Sequence, residues 1–397
     1  MVKAPALLAA PHRLLFLTGA FQFAAMLAWW SGWLLELSGI GLALPQPIPG
    51  NLLHAPILLF LMLPSFFFGF LLTVFPRWTG FPDSGLGVYL PVAAGFALAA
   101  IALWIGLGTG LAGFIEAAFA LAATGWIWAL GCMVRPIVLE HRAGRPPTWH
   151  AWSILLGLII GLHCLGLAAA GLLRLDPLAV HIANLVMLDL CVIPVFVTVC
   201  HRMIPFFAGN VVKGYEPWRP YWLLGVFWAA SFAGTLAFAY PLIAGAGKFA
   251  LAILTGLMVW KWWPRAAAPG LLWVLVLGFS WAPMGFAVAG WTAILAPELG
   301  RAAIHMLTVG FAGSLVIAMV TRVTQGHSGR PLEMPIAAWP AFVAVQAATL
   351  LRVLAAARGE HLALLTLSAL AMAIGIFPWA ARAIWIYLRP RLDGKPG

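Results

Sequence analysis

Apolar runs long enough to cross a membrane recur along this sequence, and they constrain its fold more than any other feature. A spanning helix needs about 20 mainly apolar residues, and twelve runs meet that length. They lie at approximately 14–39, 52–76, 86–107, 111–134, 150–173, 178–207, 219–240, 243–263, 270–294, 301–323, 334–356 and 361–388. Each run is continuously apolar rather than alternating, which excludes a membrane β-barrel.

The composition points to the same class of protein. Hydrophobic residues make up 63% of the 397 residues and charged residues only 8%, whereas soluble domains carry roughly 25% charged residues. Such a chain cannot cover itself with a solvated surface, so lipid must be its main solvent. The expected fold class is an all-α polytopic membrane protein, in which residues 1–397 form a single transmembrane domain of about twelve helices.

The positively charged residues are divided unequally between the two sides of the predicted bundle. Seventeen of the 22 Lys and Arg lie at the N-terminus, in the even-numbered loops or at the C-terminus, a side that we name the inner side. The outer side carries Arg174, Lys248, Arg301, Arg352 and Arg358. The positive-inside rule predicts that the inner side and both termini are cytoplasmic. The net charge of +11 is therefore topogenic, and no nucleic-acid partner is expected.

Three landmarks recur at nearly constant spacing and indicate an internal repeat. Predicted helices 2, 6 and 10 each have a His near the outer end and an Arg at the inner end, and helices 4, 8 and 12 each end near a Pro. The residues are His54, His181 and His305; Arg77, Arg202 and Arg322; and Pro136, Pro264 and Pro390. They predict three pseudo-repeats, at approximately 1–142, 143–265 and 266–397. The outline is similar to haem-copper oxidase catalytic subunits, in which twelve helices form three arcs of four.

Histidines near the outer ends of these helices are the leading candidate ligands, because ionisable groups inside a membrane are costly and neutral imidazole binds metals well. His54 and His305 lie at similar predicted depth and could hold a haem b between them. Each could instead anchor its helix at the interface. His181 could be a further ligand or a carbonyl-bonded helix start. His163, deep in predicted helix 5, could be a ligand, a supporting donor or a satisfied core histidine.

Charged groups also cluster at the inner ends of predicted helices 2, 6 and 10. They are Arg77, His201, Arg202, Arg322, His327 and Arg330. Guanidinium groups can clamp carboxylates bidentately, so Arg322 and its neighbours could hold haem propionates if the haem lay near this side. The other interpretation is that the arginines anchor the helices in the head-group layer.

Asp189 is the one acid near the centre of a predicted span. It could accept protons, pair with a buried cation, or stay protonated and bonded to a carbonyl. The four cysteines lie inside or at the ends of predicted helices, where packing as small apolar side chains is the ordinary interpretation. Cys200, next to His201, could also be a soft-metal ligand.

Three stretches resemble the NnrS family, haem- and copper-containing membrane proteins linked to nitric oxide and denitrification. They are GFLLTVFPRWTG at 69–80, RMIPFF at 202–207 and HMLTVGFAGSLVIAMVTRVTQGHSGRPL at 305–332, with PHR at 11–13 near the start. The resemblance implies a haem-binding membrane protein of the nitric oxide or nitrosative stress response, or of denitrification-linked metabolism, that works by ligand binding or electron transfer. The expected partners are membrane lipid, nitric oxide as a small ligand, and a redox partner such as a quinol.

One departure from the family pattern concerns copper. The second helix of the family usually begins with His-Ala-His-Glu-Met, whereas here Pro56 and Ile57 follow His54 and Ala55. Proline offers no ligand atom, and isoleucine cannot relay protons. We therefore expect haem but no stoichiometric copper at this helix end, and no rapid nitric oxide reduction by this protein alone. His181 and His201 are the remaining copper candidates.

The alternative function is a membrane transporter or permease for a small solute. Transporters more often show two-fold repeats and helices that are broken at mid-membrane, so the histidines at matching depth favour haem. An absorption spectrum separates the two functions, because only a haem protein has a Soret band.

Overall fold

Long helices form nearly all of the structure that is described, and no β-strand occurs in it. The computed structural model describes residues 6–41, 43–236 and 239–394. The twelve long helices are α1 (Pro11–Leu37), α2 (Gly50–Trp78), α3 (Leu86–Thr109), α4 (Ala112–Arg142), α5 (Trp149–Leu173), α6 (Pro177–Val211), α7 (Trp222–Leu236), α8 (Pro241–Trp262), α9 (Gly270–Ile294), α10 (Gly300–His327), α11 (Ala338–Ala357) and α12 (Leu362–Tyr387). Short 3-10 helices span Ala6–Leu8 and Pro297–Leu299. All of these helices except α7 and the two short ones are long and apolar enough to cross a membrane, which confirms the predicted all-α polytopic fold.

Most helix ends lie within about four residues of the predicted runs, and two differences have an identifiable physical cause. α7 begins at Trp222 rather than 219, because Pro220 disfavours helical backbone at the residue before it, Arg219. α4 continues to Arg142, beyond the apolar run, so Pro136 lies inside a helix and does not mark its end. Glu140 in this polar extension accepts a hydrogen bond from the backbone N–H of Thr148, at 3.0 Å, which fastens the extension to the start of α5.

The chain packs as two compact units, and each is described by itself. The first comprises Met1–Met187, Val323–Pro331 and Trp379–Gly397, and the second comprises Leu188–Arg322 and Leu332–Pro378. α1 to α5 lie in the first unit, and α7, α8, α9 and α11 lie in the second. α6, α10 and α12 contribute residues to both. The three pseudo-repeats stay a prediction.

An aromatic cluster holds the core of the first unit together at its inner half. Phe16 of α1 is fully buried, and its ring contacts Phe66 of α2 and Tyr387 of α12, with centroids 5.8 Å and 6.2 Å away. Phe66 also contacts Trp379, at 6.4 Å. The end of α12 is thereby packed against α1 and α2, although hundreds of residues separate them in sequence.

A short π-helical segment interrupts each of α2, α6 and α10. The segments are Ile57–Met62, Leu188–Val192 and Met306–Gly313. Such segments are rare and frequently occur at functional sites. The one in α2 begins three residues after His54, the one in α10 begins directly after His305, and the one in α6 contains Asp189. Irregular backbone therefore accompanies three of the side chains that the sequence analysis singled out.

Close contact between α7 and α8 depends on glycine, and it predicts a sharp difference between two glycines of α8. A Cβ at Gly247 would lie 2.5 Å from the backbone nitrogen of Gly234, whereas a Cβ at Gly256 would meet only Pro283, at 3.8 Å. We expect Gly247→Ala to destabilise the protein by about 1–3 kcal/mol through overpacking, and Gly256→Ala to be nearly neutral. Thermal unfolding of both purified variants in detergent measures this, and equal midpoints for the two would contradict the packing described.

Candidate functional site

His54 lies at the outer end of α2 and is held by a stack of aromatic rings. Its ring stacks on Trp30 of α1, with centroids 3.9 Å apart and planes inclined by 26°. Trp30 in turn stacks on Trp33, at 4.7 Å. Gly50 leaves room for this stack, because a Cβ there would lie 2.9 Å from the ring of Trp33. The imidazole is therefore held in one orientation, as an axial ligand requires.

His305 lies at the outer end of α10 with one ring nitrogen committed to the backbone. Its Nδ1 is 2.7 Å from the carbonyl oxygen of Arg301. A carbonyl can only accept, so this contact is a hydrogen bond in the form of the ring that carries a proton on Nδ1. In that neutral form the lone pair is on Nε2, which is the arrangement found in metal-binding histidines whose other nitrogen is bonded to a carbonyl.

Two arginines and one glutamate surround His305. Arg352 of α11 approaches the ring with Nη2 3.4 Å from Nδ1, and its Nη1 lies 3.3 Å from a carboxylate oxygen of Glu360. Arg301 reaches the same oxygen at 3.9 Å. The cluster has one more positive than negative charge, so it can accept a further carboxylate. In the sequence both arginines are simply charges of the outer side. The signal available there was that both lie, like His305, on the side that carries few positive charges.

His54 belongs to the first unit and His305 to the second. Their pairing as two ligands of one haem therefore stays a prediction.

The other two outer candidates lie on exposed surfaces. His163 was expected to be buried within its helix, but its side chain is exposed and its Nδ1 bonds to the carbonyl oxygen of Ile159, one turn earlier, at 2.8 Å. His181 is also exposed, near the start of α6. A histidine can satisfy its polar group on its own helix, and this removes the need for a partner that burial would have imposed.

The inner arginines are held by several kinds of partner. Arg77 forms a bidentate pair with Asp83, with both N–O distances 2.8 Å. That hydrogen bonding lowers the pKa of the Asp83 carboxyl, which lies in the loop after α2. Arg322 lies over the ring of Phe207 at 3.5 Å, as a cation–π contact. The fully buried His201 places Nε2 3.2 Å from the carbonyl oxygen of Pro220.

The structure brings together two inner histidines that sequence analysis did not pair. His12 of α1 is buried, and its ring centroid lies 4.6 Å from that of His327, at the end of α10. Thr73 Oγ1 lies 3.5 Å from His12 Nδ1, and the Tyr387 ring is 6.5 Å away. The signal available in the sequence was that His12, in PHR, and His327, in QGHSG, both fall in stretches that resemble the same family. Their sequence separation concealed the contact.

Cations outnumber acids around this inner histidine pair. Arg13, 2% exposed, donates to the carbonyl oxygens of Ala6 and, at 2.8 Å, of Arg389. Arg391 donates to the carbonyl oxygen of His327 at 3.3 Å and pairs with Asp393. Backbone carbonyls therefore satisfy the hydrogen bonds of Arg13 without neutralising its charge.

Asp189 pairs with a buried cation, one of the three states that the sequence left open. Its Oδ2 lies 2.5 Å from Lys248 Nζ. Sequence analysis counted Lys248 among the outer-side charges, but it lies seven residues inside α8 and is buried. The sequence could not show this, because a single charged residue near the end of an apolar run is usually assigned to the adjoining loop.

A cavity of about 410 Å³ lies at the inner side of the second unit, where the loops after α6 and α8 meet. Lys213, Lys261 and Arg265 contribute three positive charges to its lining, and Glu216 contributes one negative charge. Tyr215 also lines it, and burial raises the pKa of this phenol to about 12. The cavity is thus positively charged at neutral pH.

No three His, Cys, Asp or Glu side chains converge within the described ranges. A haem iron needs only one or two protein ligands, so a haem site does not require such a cluster. The expectation of no stoichiometric copper, with His181 and His201 as the remaining candidate ligands, stays a prediction.

A family model described as NnrS protein matches residues 6–391, which includes all the stretches quoted above. A search of curated proteins finds no match.

Proposed function

This chain belongs to the NnrS family, and from that premise we propose that it is a haem-binding protein of the bacterial inner membrane. We propose that it serves the response to nitric oxide or denitrification-linked metabolism, by binding a ligand or transferring electrons. Haem would supply a redox-active iron that binds small diatomic molecules. The residues of this chain would hold the group and set its surroundings.

The surroundings of His305 are the observation that carries the proposal. Its Nδ1 lies 2.7 Å from the Arg301 carbonyl oxygen, and in the neutral ring that donates this bond Nε2 would be the nitrogen that binds iron. His163 makes the same kind of contact with its own helix, so what distinguishes His305 is the pair of arginines beside it, Arg301 and Arg352. The donor set at the outer end of α10 therefore fits a haem ligand.

Arg352 and Arg301 suit the carboxylates of a haem beside His305. Arg352 is largely buried, with 14% of its side chain exposed, and a guanidinium binds carboxylates with matching geometry. Glu360 already pairs with both arginines, so a haem propionate would bind them alongside the Glu360 carboxylate. Of the inner arginines, Arg77 pairs with Asp83 and Arg322 lies over the ring of Phe207.

The absorption spectrum of the purified protein tests the proposed function. We expect a Soret band, sharp α bands on reduction, and about one iron per chain by elemental analysis, without stoichiometric copper. Colourless, iron-free protein from haem-sufficient cells would refute haem binding and favour the transporter alternative. One copper per chain, lost on changing His54 or His181, would overturn the prediction that the protein holds no stoichiometric copper. Sustained nitric oxide consumption by the purified protein with an electron donor would overturn the prediction that it does not reduce nitric oxide rapidly by itself.

We further propose that both termini face the cytoplasm, as the charge division predicts. A reporter that is active only in the cytoplasm should work when fused after Arg389, and one that is active only in the periplasm should work when inserted at residues 45–50. The opposite pattern at either site would reverse the orientation. The reporter pair is its own control, because each fusion is read with both enzymes.

A further inference from the structure

The Asp189–Lys248 pair lies inside the membrane-spanning part of the second unit. Asp189 is in the π-helical segment of α6, twelve residues from the helix start, and Lys248 is seven residues into α8. Only 12% and 10% of the two side chains are exposed. Lys248 is therefore about two helical turns from the start of α8, and Asp189 is more than three turns from the start of α6. At these depths in spans of this length, lipid rather than water is the expected solvent.

Stability alone does not account for such a pair. Removing two ions from water costs several kcal/mol each, and buried pairs are often replaced by apolar side chains without loss of stability. Ionisable residues within membranes are accordingly rare, and they commonly belong to proton or ion pathways. The pair needs a role that a pair of apolar side chains could not perform.

The hydrogen bonding of the carboxylate is one-sided. Lys248 Nζ lies 2.5 Å from Oδ2, and the hydroxyl of Thr235 donates to the same oxygen at 3.2 Å. The other oxygen, Oδ1, has no hydrogen-bond partner among the described residues. On the far side of the ammonium, the Phe286 ring lies 5.9 Å away. Both described donors thus lie on Oδ2, and Oδ1 is the acceptor atom that they leave available.

The surroundings supply no other group that would take the proton. α7 and α9, which contribute Thr235 and Phe286, contain no titratable side chain within Trp222–Leu236 or Gly270–Ile294. In α8 the next titratable residue is Lys261, near the inner end, and in α6 the nearest is the thiol of Cys191. Within this unit, Lys248 is the one charge that faces Asp189.

We propose that Asp189 and Lys248 form a proton-binding site inside the membrane. Oδ1 takes a proton from hydronium: an O–H bond forms on the carboxylate, one O–H bond of hydronium breaks, and water leaves. The carboxylate becomes a neutral acid beside the Lys248 ammonium, so the net charge of the pair rises from zero to +1. Release is the reverse step. The protein thereby stores one positive charge within the bilayer, independently of any haem.

Labelling with dicyclohexylcarbodiimide tests the proposal, because this apolar reagent reacts with protonated carboxyl groups. The full-length protein in nanodiscs is treated across a pH series, and the modified residue is located by peptide mass spectrometry. We expect modification of Asp189 that increases severalfold as the pH falls. Asp83 is the internal control: its carboxyl is held ionised by Arg77 outside the membrane, so it should remain unmodified near neutral pH. Asp189→Asn confirms the assignment by removing the site.

Lys248→Met sharpens the test. A lone carboxylate in an apolar medium takes up a proton rather than remain charged, so this variant should be modified faster than the wild type at neutral pH. No modification of wild-type Asp189 at any pH would overturn the proposal. Modification of Lys248→Met alone would then show an ion pair that does not take up a proton. No modification of either protein would show a carboxyl group that the reagent cannot reach. If that variant does not fold, the wild-type pH series alone decides.

Discussion

Replacing His305 by alanine should abolish the low-spin haem spectrum of the purified protein, and His54→Ala should do the same. In the proposed site both imidazoles would bind the haem iron, so either change would remove one of its two protein ligands. The expected effect is complete loss of the sharp α bands on reduction. The measurement is a reduced-minus-oxidised spectrum, normalised to protein, on variants that still elute as a single species.

His361→Ala is the matched control for these variants. His361 lies on the same outer side, directly before α12, and its side chain is exposed. The spectrum of this control should be unchanged. If neither His54→Ala nor His305→Ala loses haem, the ligands would have to be sought at His163 and His181, and the role assigned to the His305 tautomer would be wrong.

Lys248→Met should destabilise the protein by about 3–5 kcal/mol, because Asp189 loses its counter-ion and must then either stay charged without a partner or take up a proton at neutral pH. Adding Asp189→Asn to this variant should restore most of the lost stability, since no net charge is then buried. The free energies of unfolding of the wild type, the two single variants and the double variant form a cycle that isolates the coupling between the two residues.

Arg358→Met is a suitable control for that cycle. Arg358 lies in an exposed loop after α11, so its replacement should change stability by less than about 0.5 kcal/mol. A double variant as unstable as Lys248→Met alone would mean that the two side chains do not interact as described. Near-equal stability of all four proteins would mean that the pair is solvated rather than buried.

The helices were largely predictable because a span must be both long and apolar, and each requirement is written in local sequence. The run predicted at 270–294 coincides with α9, and that at 86–107 with most of α3. The end of α4 was missed because a helix can leave the lipid and continue in water, where hydrophobicity no longer marks it. Pro136 misled for a related reason: a proline can be accommodated within a helix when neighbouring groups compensate.

The site was less predictable, because its contacts join segments that are distant in sequence. The residue type and the predicted depth in the membrane singled out His54 and His305. The stacking of Trp30 on His54 and the approach of Arg352 to His305 depend instead on how the helices pack. The His12–His327 contact could not be read from spacing, since the two residues lie on α1 and α10. Lys248 shows a different limit of prediction. Its position near the end of a predicted helix was clear, but the packing of neighbouring helices decides whether its ammonium group contacts water or Asp189.

Arg13 has a consequence for the order in which the protein is made. Its side chain is buried on α1, which is synthesised before the other long helices described, yet one of its acceptors is the carbonyl of Arg389, 376 residues later. At typical synthesis rates of about 5–20 residues per second, roughly 20–75 seconds separate the two. During that delay the guanidinium must find other acceptors, such as lipid phosphates at the membrane surface. Completion of the first unit is therefore a late event in biogenesis, and chains that stall before α12 would expose an unsatisfied positive charge to quality control.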